Sequence, residues 1–145
     1  MSSNIVVRFV SAVFITYVVA VFFVSQFNAN NIAALGVDVS FTDRANAVIH
    51  DLVGMLDLYL PIIAVGFLVA FLFTRFVLLR FVKAPAILYP LAGFVALATV
   101  HLTLKAVFGM TPVAPTATLI GLLVQCLAGA VGGFVFFKLA PKTQT

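Results

Sequence analysis

An all-α, polytopic membrane fold is what this sequence predicts, with four transmembrane helices and an external amphipathic helix between the first two. Three observations predict it. Hydrophobic residues make up 64% of the 145-residue chain and charged ones only 8%, with a mean hydropathy of +1.27. A water-soluble domain of this size has too few charges to cover so much apolar surface. The apolar residues also gather in four runs long enough to cross a bilayer. Finally, the charges sort by sign. All four acidic residues (Asp38, Asp43, Asp51 and Asp57) lie in one connection, while Arg8, Arg75, Arg80, Lys83, Lys138 and Lys142 crowd at the opposite ends of the runs.

The first run covers residues 5–27 and, at 1.5 Å per residue, reaches about 35 Å, enough to cross the hydrocarbon with some tilt. It is longer than the apolar region of a cleaved signal peptide and no clean small-x-small site follows it, so it is expected to be retained. The second run, 58–81, carries Arg75 and Arg80 near its end. The third, 86–108, starts after Pro85 and carries His101 and Lys105. The fourth, 117–137, follows the segment MTPVAPTAT and stops at Lys138 and Pro141. No repeat or linker divides the chain, so residues 1–145 are expected to form one transmembrane domain.

Cytoplasmic segments beside spans keep Lys and Arg, which sets orientation during insertion. Arg8 therefore votes for an inner N-terminus, Arg80 and Lys83 for an inner second connection, and Lys138 and Lys142 for an inner C-terminus. The Asp-bearing first connection and the uncharged third then fall outside. A multi-pass protein of a bacterial inner membrane is expected.

Residues 43–57 of the first connection show helical patterning. Wound at 100° per residue, Ala45, Val48, Ile49, Leu52, Val53 and Leu56 fall on one side, with Asp43, Arg44, Asn46, His50, Asp51 and Asp57 on the other. Thr42 is the expected N-cap, and Asp43 suits the positive helix end. Asp43, His50 and Asp57 share one stripe. Such a stripe is ordinarily a wetted polar face; the sharper alternative has His50, Asp51 and Asp57 collecting a divalent cation. No HExxH, EF-hand or Cys/His spacing supports that alternative. A haem held by His50 and His101 rests on residue type alone, and no cofactor is expected.

Ionisable groups inside spans are costly and default to functional candidates. His101 and Lys105 lie one helical turn apart on the third run. Gln125 on the fourth and Tyr17 on the first fall at similar depth, and Asp57 stands at the mouth of the second. One reading is an outward-facing polar cavity floored by His101, Gln125 and Tyr17 and rimmed by Lys105 and Asp57. The competing one has Lys105 snorkelling to the headgroups while His101 and Gln125 satisfy each other or a backbone carbonyl.

Gly121, Gln125, Gly129 and Gly133 recur every four residues on the fourth run, a small-residue stripe that lets two helices approach closely, within the chain or between chains. The single Cys126 excludes an internal disulfide and any Cys-based zinc cluster, and packing is its expected role. The chain contains no Glu, and none of the carboxylates lies deep in a run. The embedded Glu of small proton-coupled exporters is therefore missing, as are GxSxG and P-loop motifs. The net charge of +4 sits at helix ends rather than in a basic-aromatic patch, so nucleic acid is not an expected partner. The expectation is a non-enzymatic membrane component working through helix packing, as an oligomer or an accessory subunit. Its partners would be the lipid bilayer and either itself or another membrane protein. The alternatives are a channel or transporter for a small ion or solute through the polar layer, and a metal- or haem-binding membrane protein.

Overall fold

The computed structural model describes residues 2–111 and 113–141, with side chains from Ile5 onward; Lys142, counted above among the basic residues, lies outside them. All regular structure among the described residues is helical. In chain order the elements are α1 (Ser2–Ala34), α2 (Phe41–Gly54), α3 (Leu56–Phe73), a π-helical turn (Thr74–Leu78), α4 (Leu79–Phe81), α5 (Pro85–Phe108), a 3-10 turn (Ala114–Ala117) and α6 (Leu119–Lys138). Four helical stretches are long and apolar enough to cross a membrane: Ile5–Ala34, Leu56–Phe81, Pro85–Phe108 and Leu119–Lys138.

Helix α1 runs seven residues past the expected end at residue 27. The largely polar residues 28–31 continue the helix beyond the apolar run. The helix stops at Gly36, whose φ of 87° reverses the chain. At 33 residues it measures about 50 Å, longer than a hydrocarbon core. The fourth long helix starts later than expected, at Leu119, because Ala114–Ala117 forms a tighter 3-10 turn. Thr118 then caps α6 by accepting a hydrogen bond from the Gly121 amide at 3.1 Å. At the end of α5, Gly109 takes the left-handed conformation at φ 68° and donates its amide to the Lys105 carbonyl.

Helix α2 forms in the patterned connection with two corrections. Its N-cap is Ser40, not Thr42. The Ser40 hydroxyl accepts from the Asp43 amide, and Asp43 Oδ2 accepts from the Ser40 amide at 3.0 Å and its hydroxyl at 2.6 Å. Those two donors hold the Asp43 carboxyl below the usual carboxylate range. The second correction concerns the far end. The chain breaks at Met55, so Asp57 opens α3 and does not extend the Asp43–His50 stripe. Arg44 ties α2 to the end of α1, with Nη1 donating to Asn30 Oδ1 at 2.9 Å and to Gln26 Oε1 at 3.3 Å. This seam half-buries Val48 and Leu52 and leaves Ile49 and Val53 exposed, so only part of the apolar face is used against the bundle.

The core lies where α1, α3, α5 and α6 meet. Ala12, Thr16, Tyr17, Ala20, Val21 and Val24 of α1 recur at helical spacing and are all buried. Tyr59, Ile63, Phe67 and Phe71 of α3 repeat every four residues into the same centre. Phe71 packs edge-on against Phe9 and Tyr89 and is tilted against Phe136, with ring centroids 6.5, 5.6 and 4.6 Å away. Phe22, Phe23, Phe73 and Phe76 point outward instead.

The most extensive helix pairing joins α5 to α6, through glycines. A Cβ on Gly129 would collide with the Gly93 carbonyl, one on Gly93 with the Gly129 carbonyl, and one on Gly133 with the Tyr89 carbonyl. Gly132 faces α1, where a Cβ would strike Thr16 and the Ala12 carbonyl; Gly121 presses on the Pro115 carbonyl. The small-residue stripe is thus used inside the chain. Cys126 is buried and free. Outside this core, Val65, Val69, Leu91, Val107, Leu119 and many more large apolar side chains are exposed. A continuous apolar surface of this kind is suited to lipid or to partner helices.

Candidate functional site

Two buried polar side chains of the long helices, His101 and Gln125, converge on Tyr59, which sequence reasoning passed over, while the buried Thr16 and Ser25 hydroxyls find no partner among the described residues. Its hydroxyl lies 2.9 Å from Gln125 Oε1 and 3.0 Å from His101 Nε2, and Gln125 Nε2 lies 3.0 Å from the Ala20 carbonyl. Four helices are joined at this point. The directions of the hydrogen bonds follow from what each group can do. A carbonyl only accepts, so the Gln125 NH2 must face Ala20 and its Oε1 must face Tyr59. That oxygen only accepts, so Tyr59 donates its single proton to it. His101 Nε2 therefore carries a proton and donates to the Tyr59 oxygen.

The chain His101–Tyr59–Gln125–Ala20 ends on a backbone carbonyl that cannot release or pass a proton. At that end it cannot act as a relay; at the other end His101 Nδ1 makes no hydrogen bond among the described residues. Tyr17 lies beside it, its ring centroid 6.3 Å from that of Tyr59, but its hydroxyl donates to the Leu52 carbonyl at 2.6 Å and so fastens α1 to the end of α2. His101, Gln125, Tyr17 and Tyr59 are each at most 4% exposed. Lys105 and Asp57 remain exposed, with no ion pair or side-chain hydrogen bond among the described residues. The structure brings His101 and Gln125 together, sets Tyr17 alongside, and makes no side-chain bond from Lys105 or Asp57 to any of them among the described residues.

The candidate metal ligands do not converge. His50 Nδ1 is 3.6 Å from Asp51 Oδ1 with the imidazole largely in the open, while Asp57 belongs to the next helix. Among the described residues, no three His, Cys, Asp or Glu side chains group closely enough to hold a metal ion.

Two concavities lie away from the polar layer. A groove of about 800 Å3 runs between α3 and α5, walled by aliphatic side chains such as Val65, Val69, Leu91 and Val95, with Asp57 at one end. A smaller cavity of about 370 Å3 opens at the basic end of the bundle between Arg8, Arg75, Lys83 and Tyr89. Neither reaches His101 or Gln125. Arg8, read from sequence only as a topology marker, is 8% exposed, with Nε donating to the Phe136 carbonyl at 3.0 Å and Cζ 4.3 Å from the Phe136 ring centroid. The signal was present: Arg8 is flanked on both sides by the apolar residues Val6, Val7, Phe9 and Val10.

Four helices long and apolar enough to cross a membrane, with many large apolar side chains facing outward, are consistent with a multi-pass helical membrane protein. Comparison with protein-family models, with curated proteins and with solved structures finds no match to this chain.

Proposed function

We propose that this chain acts without catalysis, through helix packing, as an oligomer or as an accessory subunit of a membrane complex. A bacterial inner membrane, with both termini cytoplasmic and α2 lying along the outer headgroups, completes the reading. The observation that carries it is the bonded polar layer of His101, Tyr59 and Gln125. The groups best placed to line a solute path bond to one another and end on the Ala20 carbonyl, with no cavity reaching them among those described above. A polar layer whose members bond to one another suits a rigid packing element better than a transporter, which needs water or solute at its polar groups.

The outer surface is then the working part. Helix α3 belongs to the least covered of the four long stretches, and the groove beside it offers a concave apolar track for a second copy or a partner helix. Val65 and Val69 face that groove and are 62% and 64% exposed, so enlarging them leaves the core untouched. In a mild detergent the chain is expected to run as a defined oligomer or with one stoichiometric partner, and Val65→Trp or Val69→Trp to release it. Size-exclusion chromatography with light scattering measures both. A monomer without a partner, combined with a cysteine scan of α5 that finds water at position 101, would overturn the reading.

A further inference from the structure

The cavity at the basic end differs from ordinary snorkelling cations in three respects. First, one of its cations is buried. Arg8 is held in place by the Phe136 carbonyl and ring, and this contact occupies only Nε; its two terminal nitrogens have no protein acceptor among the described residues. Second, the charges have no counter-ion. Arg75 and Lys83 line the same cavity, no ion pair to any of the three is made among the described residues, and every Asp of the chain lies between residues 38 and 57. A buried guanidinium without a carboxylate partner is costly unless something else supplies the negative charge. Third, the surroundings suit an amphiphile. The Tyr89 side chain lines the same wall, its hydroxyl unpaired among the described residues, while Ile5, Leu79 and Phe137 supply apolar flanks.

The π-helical turn contributes to this arrangement. Thr74–Leu78 widens the helix directly at Arg75, with the Thr74 hydroxyl donating to the Ala70 carbonyl at 2.8 Å, and Leu79 and Lys83 follow along the cavity wall.

We propose that the cavity ringed by Arg8, Arg75, Lys83 and Tyr89 binds a phosphate group, carried by an anionic phospholipid headgroup or free in solution. The planar guanidinium fork of Arg8 matches two phosphate oxygens, Lys83 adds a compact charge, and Tyr89 gives a neutral donor. Basic pockets between membrane helices take such headgroups. This site is independent of the packing role proposed above and stands if that role fails.

The test uses the full chain in phosphatidylcholine nanodiscs, with phosphatidylglycerol added in graded amounts in one arm and inorganic phosphate in the other. Thermal stability and the lipid retained in native mass spectrometry are measured. Preference for phosphatidylglycerol over phosphatidylcholine with no effect of phosphate identifies a headgroup site; stabilisation by inorganic phosphate identifies one open to solution. In the arm that responds, Arg75→Gln and Lys83→Gln, both at exposed positions, each weaken the preference about fivefold. Arg80→Gln, at the same end but outside the cavity, leaves it unchanged. The proposal is overturned if wild-type protein shows neither preference nor phosphate response, or if Arg80→Gln weakens binding as much as Arg75→Gln. Because Arg8 also anchors α6, its substitution is not needed for the decision.

Discussion

Tyr59 has one hydroxyl proton and two buried neighbours, and the direction in which that proton points settles the state of both. Removing the hydroxyl leaves Gln125 Oε1 without a donor and the His101 Nε2 proton without an acceptor. Hydrogen bonds between membrane helices contribute about 0.6–2 kcal/mol each, and an orphaned buried group costs about 1–3 kcal/mol. Tyr59→Phe is therefore expected to destabilise the bundle by about 1–2 kcal/mol, and Gln125→Leu by at least as much, since it removes the bond to the Ala20 carbonyl as well. The double variant should cost less than the sum of the two, because one bond is counted in both. Reversible unfolding in mixed micelles measures all three, and strict additivity would contradict the shared bond. His101, Gln125 and Tyr17 were legible in the sequence because each interrupts an apolar run. Tyr59 was not. It sits two residues after Asp57 at the start of its run, where a tyrosine reads as an interfacial residue, and nothing local reports that α3 turns it inward.

Among the elements, α6 shows most plainly how small residues act. Its four-residue stripe was readable from the sequence, but its partner was not, because glycine spacing says that something approaches closely without saying what. The partner is α5, at Gly93 and Tyr89. Two alanine substitutions separate packing from backbone entropy. At Gly129 the new methyl would meet the Gly93 carbonyl, a backbone atom that cannot swing aside, so Gly129→Ala is expected to destabilise by about 1–3 kcal/mol. At Gly54, the last residue of α2, nothing lies within 4 Å of the added carbon and the backbone is helical, so Gly54→Ala should stabilise by about 0.4–1 kcal/mol. Thermal unfolding of the pair gives opposite signs if contact rather than propensity governs α6. The helix ends were less legible than the helices. Apolar runs record where a bilayer would begin and end, whereas α1 ends where Gly36 permits it and α6 starts where Thr118 caps it.

Across the molecule, the two ends differ in sign, and folding keeps them so. Arg8 from α1, Arg75 from the π-helical turn and Lys83 after α4 meet around one cavity, beside the end of α6 at Phe136, Phe137 and Ala140. Asp43 and Asp51 lie on α2 and Asp57 at the start of α3, the opposite end of that helix from Arg75. Insertion machinery reads the cations, since Lys and Arg resist transfer and Asp contributes little. On the proposed four-span topology both termini fall on one side, so one measurement tests the other. A green fluorescent reporter fused after Lys138 should fluoresce, and alkaline phosphatase inserted in the loop between α1 and α2, at residues 37–39, should be active outside the membrane. Replacing Arg75, Arg80 and Lys83 together by Gln removes the cations flanking the second connection and should yield a mixed population with both reporters partly active. If phosphatase at residues 37–39 is silent while fusions at the basic end are active, the orientation is reversed, and the phosphate-binding cavity would open on the outer face.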